Sequence, residues 1–272
     1  LATITFFRTF AVEMKIKEVV EALERFAPLP LQEDYDNAGL QIGLTESKCS
    51  GALLCLDVTE DVIDTAIAEG CNLIVAHHPL LFRGLKRIGD EGYVERCVRR
   101  AILGGLTIYA AHTNLDNAPD GVCFEMAKRL GLQDVRFLDP IPNGNGGSGV
   151  IGKLAVSTNP IDFLKQAKEV FQVENLMHNA GPEHDIQTVA LCGGAGEFLI
   201  DTAYHHGADV FLTGEIGYHR FFGYEKKLWI GALGHFQSER YTIQLMHRIL
   251  AEAHPDLVIK DYAPTTNPIN YL

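Results

Sequence analysis

Residues 52–79, ALLCLDVTEDVIDTAIAEGCNLIVAHHP, decide how the chain folds. Residues 52–56 are an unbroken apolar run, short enough for a strand buried on both faces. From 61 to 69 the apolar residues return at helical spacing, and Gly70 ends that segment. Residues 72–76 form a second apolar strand, which runs directly into His77-His78-Pro79. Strand, helix, glycine, strand is the unit of an α/β fold with mostly parallel strands.

Outward from this stretch the pattern continues. Residues 15–27 place Val19, Val20, Leu23 and Phe26 on one helical stripe, which Pro28 and Pro30 end. Residues 35–43, YDNAGLQIG, read as an ordered loop entering a short strand. A helix is expected over 93–103, then a strand over 107–111 that ends in HTNLD at 112–116. The next helix follows Asp120 and stops near Leu130, before Gly131.

A second αβ series starts at 150, with strands at 150–156, 188–192 and 209–213 and helices at 161–171 and 197–206. Cys55, Asp64, Thr65, Ala66 and Gly70 reappear as Cys192, Asp201, Thr202, Ala203 and Gly207, each 137 positions on. His112 and Asp116 are four residues apart, as are His235 and Glu239. We therefore expect an α/β fold of two similar αβ units, residues 14–140 and 150–272, related by internal duplication. A glycine-rich joint or exposed loop at 141–149 would link them, with a metal site between. Residues 1–13 read as an upstream remnant before Met14, an edge strand being the alternative.

Composition limits the function. Of 272 residues, 47% are hydrophobic and 21% charged, which suits a large buried core and oligomer contacts. The net charge of −12 argues against direct nucleic-acid binding, which needs positive charge to displace counterions. An anionic small-molecule substrate is compatible if bound divalent ions reverse the local field. The six cysteines contain no CxxC pair and read as buried free thiols of a reducing compartment. No apolar run approaches a membrane span, so no membrane association is expected and the cytoplasm is the default location.

Three segments carry metal-binding chemistry. His77 and His78 follow a buried strand; because strand side chains alternate faces, both rings share a site only if the chain turns there. Asp116 follows another buried strand, where a carboxylate is costly unless paired or metal-bound; capping of the next helix is the alternative, for which Asp120 is better placed. In GALGHFQSE, helical spacing brings Glu239 to the face of His235. Three imidazoles and two carboxylates suit a pair of divalent ions such as Zn, Fe, Mn, Ni or Co. His112 is assigned to orienting a ligand. Glu215 and His219, in GEIGYH, are the candidates for proton transfer, a structural ion pair being the alternative. His205 and His206 read as solvent-facing, His178 and His184 belong to no coherent motif, and ALCGGAG at 190–196 reads as a tight turn or an anion cradle.

These motifs resemble the NIF3 family (NGG1-interacting factor 3-like), whose members are also called GTP cyclohydrolase 1 type 2 homologues. The resemblance rests on DYDNAGLQIG at 34–43, VAHHPLLF at 75–82, AAHTNLD at 110–116, LTGEIGYH at 212–219 and GHFQSE at 234–239. It implies His77, His78, Asp116, His235 and Glu239 as ligands of a dinuclear centre, and a toroidal homohexamer assembled as a trimer of dimers. The extra domain that many members carry between their halves is missing here, and Tyr35 stands where the family commonly has tryptophan. Two classes of function follow: a two-metal hydrolase of a nucleotide or other phosphorylated small molecule, GTP included, or a metal-binding interaction module without turnover.

Overall fold

The strands at the centre of the chain carry no polar face because both of their faces are covered. The computed structural model describes residues 14–142 and 144–272, so the expectation for residues 1–13 lies outside it. The first part runs α1 (Ile16–Phe26), β1 (Gly39–Ile42), β2 (Ala52–Cys55), α2 (Glu60–Ala68), β3 (Leu73–Ala76), α3 (Tyr93–Leu103), β4 (Thr107–Ala110), α4 (Thr113–Asp116) and α5 (Val122–Arg129). Strands β2, β3 and β4 are parallel neighbours, and β1 lies antiparallel on β4. Leu54, Val75 and Tyr109 point to one side, into a core shared with α1. Leu53, Ile74 and Ile108 point to the other, against α2 and α3. Period-two alternation between two covered faces is why these strands read as continuous apolar runs.

The second part runs β5 (Gln133–Pro140), β6 (Gly147–Thr158), α6 (Pro160–Val170), β7 (Met177–His178), β8 (Ile186–Cys192), α7 (Ile200–His205), β9 (Val210–Thr213), β10 (Trp229–Ala232), α8 (His235–Glu239), α9 (Thr242–Ala253) and β11 (Ile259–Asp261). Its six-stranded sheet has the order β5-β6-β8-β9-β10-β7, while β11 joins the first sheet. Strands β8, β9 and β10 are parallel, and β7 lies antiparallel on β10 as β1 does on β4.

The repeat seen in the sequence is a repeat in register. Cys55 lies beside Ala76 in the first sheet, and Cys192 beside Thr213 in the second, both pairs 137 positions apart. Gly70 and Gly207 close the intervening helices at φ of 73° and 74°, a left-handed backbone that glycine adopts without a Cβ clash.

Of the Gly-rich stretch, residues 141, 142, 144 and 145 are exposed. Strands β5 and β6 pair antiparallel, Phe137 opposite Val150 and Pro140 opposite Gly147, so residues 147–149 belong to β6 and the Gly-rich stretch lies between two paired strands. A Cβ on Gly147 would stand 2.6 Å from the Asp139 carbonyl oxygen and 2.8 Å from Pro140 Cα, so its glycine answers to close packing rather than flexibility. Strand β5 was not foreseen; its pattern is mostly exposed and lacks a regular apolar alternation.

The two parts interlock. β11 pairs in parallel with β2, returning the chain to the first sheet after the second is complete. α5 places Val122 in the first core and Cys123 and Met126 in the second, and α9 packs Leu245 and Met246 into the first. All six cysteines are free, and all but Cys49 are buried. Among the described residues no helix is long and apolar enough to cross a membrane.

Truncating Leu54, which is fully buried, should lower stability by about 2–5 kcal/mol through lost burial and a residual cavity. Leu103→Ala, at an 81% exposed position, should change it by less than about 0.5 kcal/mol. Denaturant unfolding of both variants checks the difference.

Candidate metal centre

The carboxyl ends of the inner strands of both sheets carry the residues of one site. After β3 the chain bends at His77-His78, whose N–H groups still donate to the Cys55 and Leu56 carbonyls, and the two rings stand 5.0 Å apart. After β4 the short helix α4 turns Asp116 towards them. After β10, Gly234 takes a φ of 95° and starts α8, whose one turn places His235 and Glu239 together.

Each of the three rings is held at Nδ1. The His77 Nδ1–H donates to the Ala111 carbonyl at 2.8 Å. His78 donates from Nδ1 to Asp57 Oδ1 at 2.7 Å, and His235 from Nδ1 to Glu215 Oε1 at 3.1 Å. These bonds turn every Nε2 inward, as metal-binding imidazoles are turned. The Nε2 atoms of His78 and His235 lie 3.2 Å apart, and 2.9 and 3.0 Å from Glu239 Oε2. His77 Nε2 lies 3.7 Å from both Asp116 Oδ1 and Glu239 Oε1.

His77 Nε2 and Asp116 Oδ1 are buried without a hydrogen-bond partner among the described residues. A buried lone pair left unsatisfied costs about 1–3 kcal/mol. A cation satisfies both at once, so the donor set fits a metal. Among the described residues three groups could hold an ion: His78, His235 and Glu239; His77, Asp116 and Glu239; and His77, His78 and His112. The first two share Glu239. Mixed imidazole and carboxylate donors suit divalent transition ions better than magnesium or calcium.

The electrostatics follow from crowding. Burial favours the neutral acid at Glu239, but the imidazoles of His235, His77 and His78 outweigh it and hold the carboxyl well below its usual range. At Asp116 burial prevails, with the charge of Glu239 adding to it, and the carboxyl is pushed up. Burial disfavours charge on His78 too, yet hydrogen bonds to Asp57 and Glu239 raise it to about 10.

All five expected ligands meet here. His112 does not mirror His235: it precedes α4 where Gly234 precedes α8, and its Nδ1 binds Asp36 Oδ1 at 2.7 Å. Glu215 lines the cavity, whereas His219 lies off its wall against Tyr218 and Phe222. Gly121, not Asp120, precedes α5; Asp120 has a φ of 57°. The turn at 190–196 does not offer these amides to an anion: Gly194 N–H donates to Ser238 Oγ and Gly196 N–H to Thr213 Oγ1. His178, His184 and His205 bond nearby carbonyls at the surface.

Asp57 was missed, although it follows a buried strand just as Asp116 does. Its other oxygen accepts from Thr266 Oγ1 at 2.6 Å. Asp36 lies in the ordered loop expected over 35–43; its buried carboxylate ties the loop after α1 to His112 and Thr113.

The site opens into a cavity of about 520 Å³. Tyr35 and Phe82 meet edge to face on its wall, at 6.4 Å, and Phe198 and Phe236 also line it. Burial, with the charges of Glu33, Asp116 and Asp36, pushes the Tyr35 phenol up to about 12.

Residues 14–268 match the family model Duf34/NIF3 (NGG1p interacting factor 3). A Clostridium acetobutylicum protein named GTP cyclohydrolase 1 type 2 homolog is 30% identical over 245 residues, 89% of this chain and 91% of that one. A Clostridium perfringens protein of the same name is 32% identical over 228 residues, 83% and 87% of the two chains. A Bacillus cereus protein related to NIF3 superposes with a TM-score of 0.87 at 24% identity, covering 96% of this chain and all of its own. Reduced HcgD from Methanocaldococcus jannaschii superposes with a TM-score of 0.76 at 25% identity, covering 91% and 97%.

Gly194 has a φ of 57°, and a Cβ there would collide with Glu239 Oε1. Gly194→Ala should therefore displace that carboxylate and lower bound metal per chain, read by elemental analysis, while the fold persists by circular dichroism. Asp36 supports a second expectation. Burial alone would raise it, but hydrogen bonds from His112 and Thr113 lower it from 3.8 to about 2. Its contribution is present above the unfolded value and lost as pH falls from 3.8 towards 2, about 2 kcal/mol in all. The stability gap between wild type and Asp36→Asn should narrow by that amount across this window.

Proposed function

Because the chain belongs to the Duf34/NIF3 family, we propose that it is a hydrolase of nucleotide-class small molecules that works with two divalent ions. The observation that carries this reading is the pair of orphaned buried atoms, His77 Nε2 and Asp116 Oδ1, beside a Glu239 shared by two ligand groups. His77, Asp116 and Glu239 would hold one ion, and His78, His235 and Glu239 the other. When bound, such ions make water a stronger nucleophile and stabilise charge developing on the substrate oxygen.

The chain's own side chains prepare the site. Ala111, Asp57 and Glu215 fix the three rings, so that little reorganisation accompanies reaction. Glu215 is assigned to hold a proton of the substrate or leaving group, a role supported by its contact with His235 and its position on the cavity wall. His219 has no step in this scheme, because its ring lies off the cavity wall. A homohexamer belongs to the same reading and rests on the family resemblance; the cytoplasm is the default location and rests on the sequence alone.

The relatives' name makes GTP the first substrate to try. Metal-free protein should be loaded in turn with Zn, Fe, Mn, Ni and Co, then incubated with GTP and a panel of phosphoesters. Product should form with at least one ion, and Asp116→Asn should lower both bound metal and turnover, the latter by roughly 100-fold or more. A metal-loaded protein inert across the panel would leave only the interaction-module reading. Unchanged turnover in Asp116→Asn would exclude this site as the source.

A further inference from the structure

The cavity beside the centre is unsuited to reading phosphates. Its wall includes Glu33, Asp57, Asp116, Glu215 and Glu239, and among the described residues lining it there is no lysine or arginine. Two divalent ions would do no more than offset these carboxylates. A triphosphate bound there would meet no surplus of positive charge and none of the guanidinium or ammonium donors that phosphate recognition uses.

The same wall is well suited to a flat ring. Tyr35, Phe82 and Phe198 are 65%, 43% and 54% exposed, although large aromatic side chains normally gain from burial. All three face one cavity, with Phe236 beside them. A planar heterocycle entering it covers these faces and gains offset or edge-on ring contacts.

Glu33 supplies the polar end. Its backbone N–H donates to Thr113 Oγ1 at 2.9 Å, which fixes the residue over α4. Its Oε1 accepts from Asn117 Nδ2 at 2.9 Å and lies 3.3 Å from Ser148 Oγ. A carboxylate has about four acceptor positions, and these two donors occupy at most two, both on Oε1. Glu33 is thus held in place while acceptor positions on its carboxylate stay open to the aromatic cavity. Its natural complement is an edge offering adjacent N–H groups, such as a ring N–H beside an exocyclic amine.

We propose that the cavity recognises the base of its substrate and not its phosphates: an uncharged heterocycle lies among Tyr35, Phe82 and Phe198 with its N–H edge donating to Glu33. Only the placement of the reacting bond near Asp116 and Glu239 rests on the hydrolase reading; the recognition stands without it.

Binding to metal-loaded, full-length protein tests this, by equilibrium dialysis with labelled guanosine and with inosine, GTP and inorganic triphosphate as competitors. Guanosine should bind within about threefold of GTP, and inosine, which lacks the exocyclic amine, roughly tenfold more weakly. Triphosphate alone should not compete. Glu33→Gln should abolish the preference for guanosine over inosine at unchanged metal content and melting temperature, and Tyr35→Ala should weaken both nucleosides alike. GTP binding more than tenfold tighter than guanosine, or competition by triphosphate, would overturn the proposal by placing recognition on the phosphates. So would failure of both nucleosides to bind, or a preference that survives Glu33→Gln with its metal intact. GTP turnover without nucleoside binding would overturn this proposal and keep the hydrolase reading; nucleoside binding without turnover would do the reverse.

Discussion

A carboxylate buried at the meeting point of two sheets sets the terms for the rest of the molecule. Glu239 is 3% exposed, and an ionised acid is tolerated at such a place only if opposite charge or hydrogen bonds surround it. The surrounding groups come from both parts of the chain: His77 and His78 from the end of β3, His235 from its own helix α8. Neither part alone can satisfy that side chain. The closeness of the two sheets is therefore fixed by polar chemistry as well as by the apolar cores.

Several local choices follow from this. Gly194 must be glycine because Glu239 occupies the space a Cβ would need, and Gly214 because a Cβ would stand 2.6 Å from the Gly194 carbonyl and 2.7 Å from Ser238 Oγ. Ser238 in turn accepts from Gly194 N–H and donates to the His235 carbonyl. Asp57 links His78 to Thr266 in the segment after β11, so the last residues of the chain also bear on the orientation of a ring at the centre. Outside contacts on Nδ1 and inward Nε2 atoms form one consistent pattern across all three imidazoles.

The matching register of the two sheets accommodates such a site without symmetry in its residues. The strand pairs β2–β3 and β8–β9 keep the same register, yet where one part has His77 and His78 the other has Gly214 and Glu215. One copy supplies rings at that point; the other supplies clearance and the carboxylate that steadies His235. Interlocking of the sheets through β11, α5 and α9 then removes the freedom of the two parts to separate.

The sequence by itself determined the inner strands, their helices, the repeat and all five central side chains, because each rests on local physics. Buried parallel strands are continuously apolar, helices carry a periodic stripe, and polar groups that follow such strands stand out against them. It did not reveal β5, whose stability comes from pairing with β6 and not from its own pattern, nor the start of β6 in a glycine-rich stretch. Asp36, Asp57 and Glu33 looked like ordinary loop acids, since nothing local distinguishes a carboxylate that steadies a ring or faces a cavity from one in water. Their partners lie 76, 21 and 84 residues away in His112, His78 and Asn117. Contacts across such distances exist only once the strands and loops of the first part have come together, and that was decided by the tertiary structure alone.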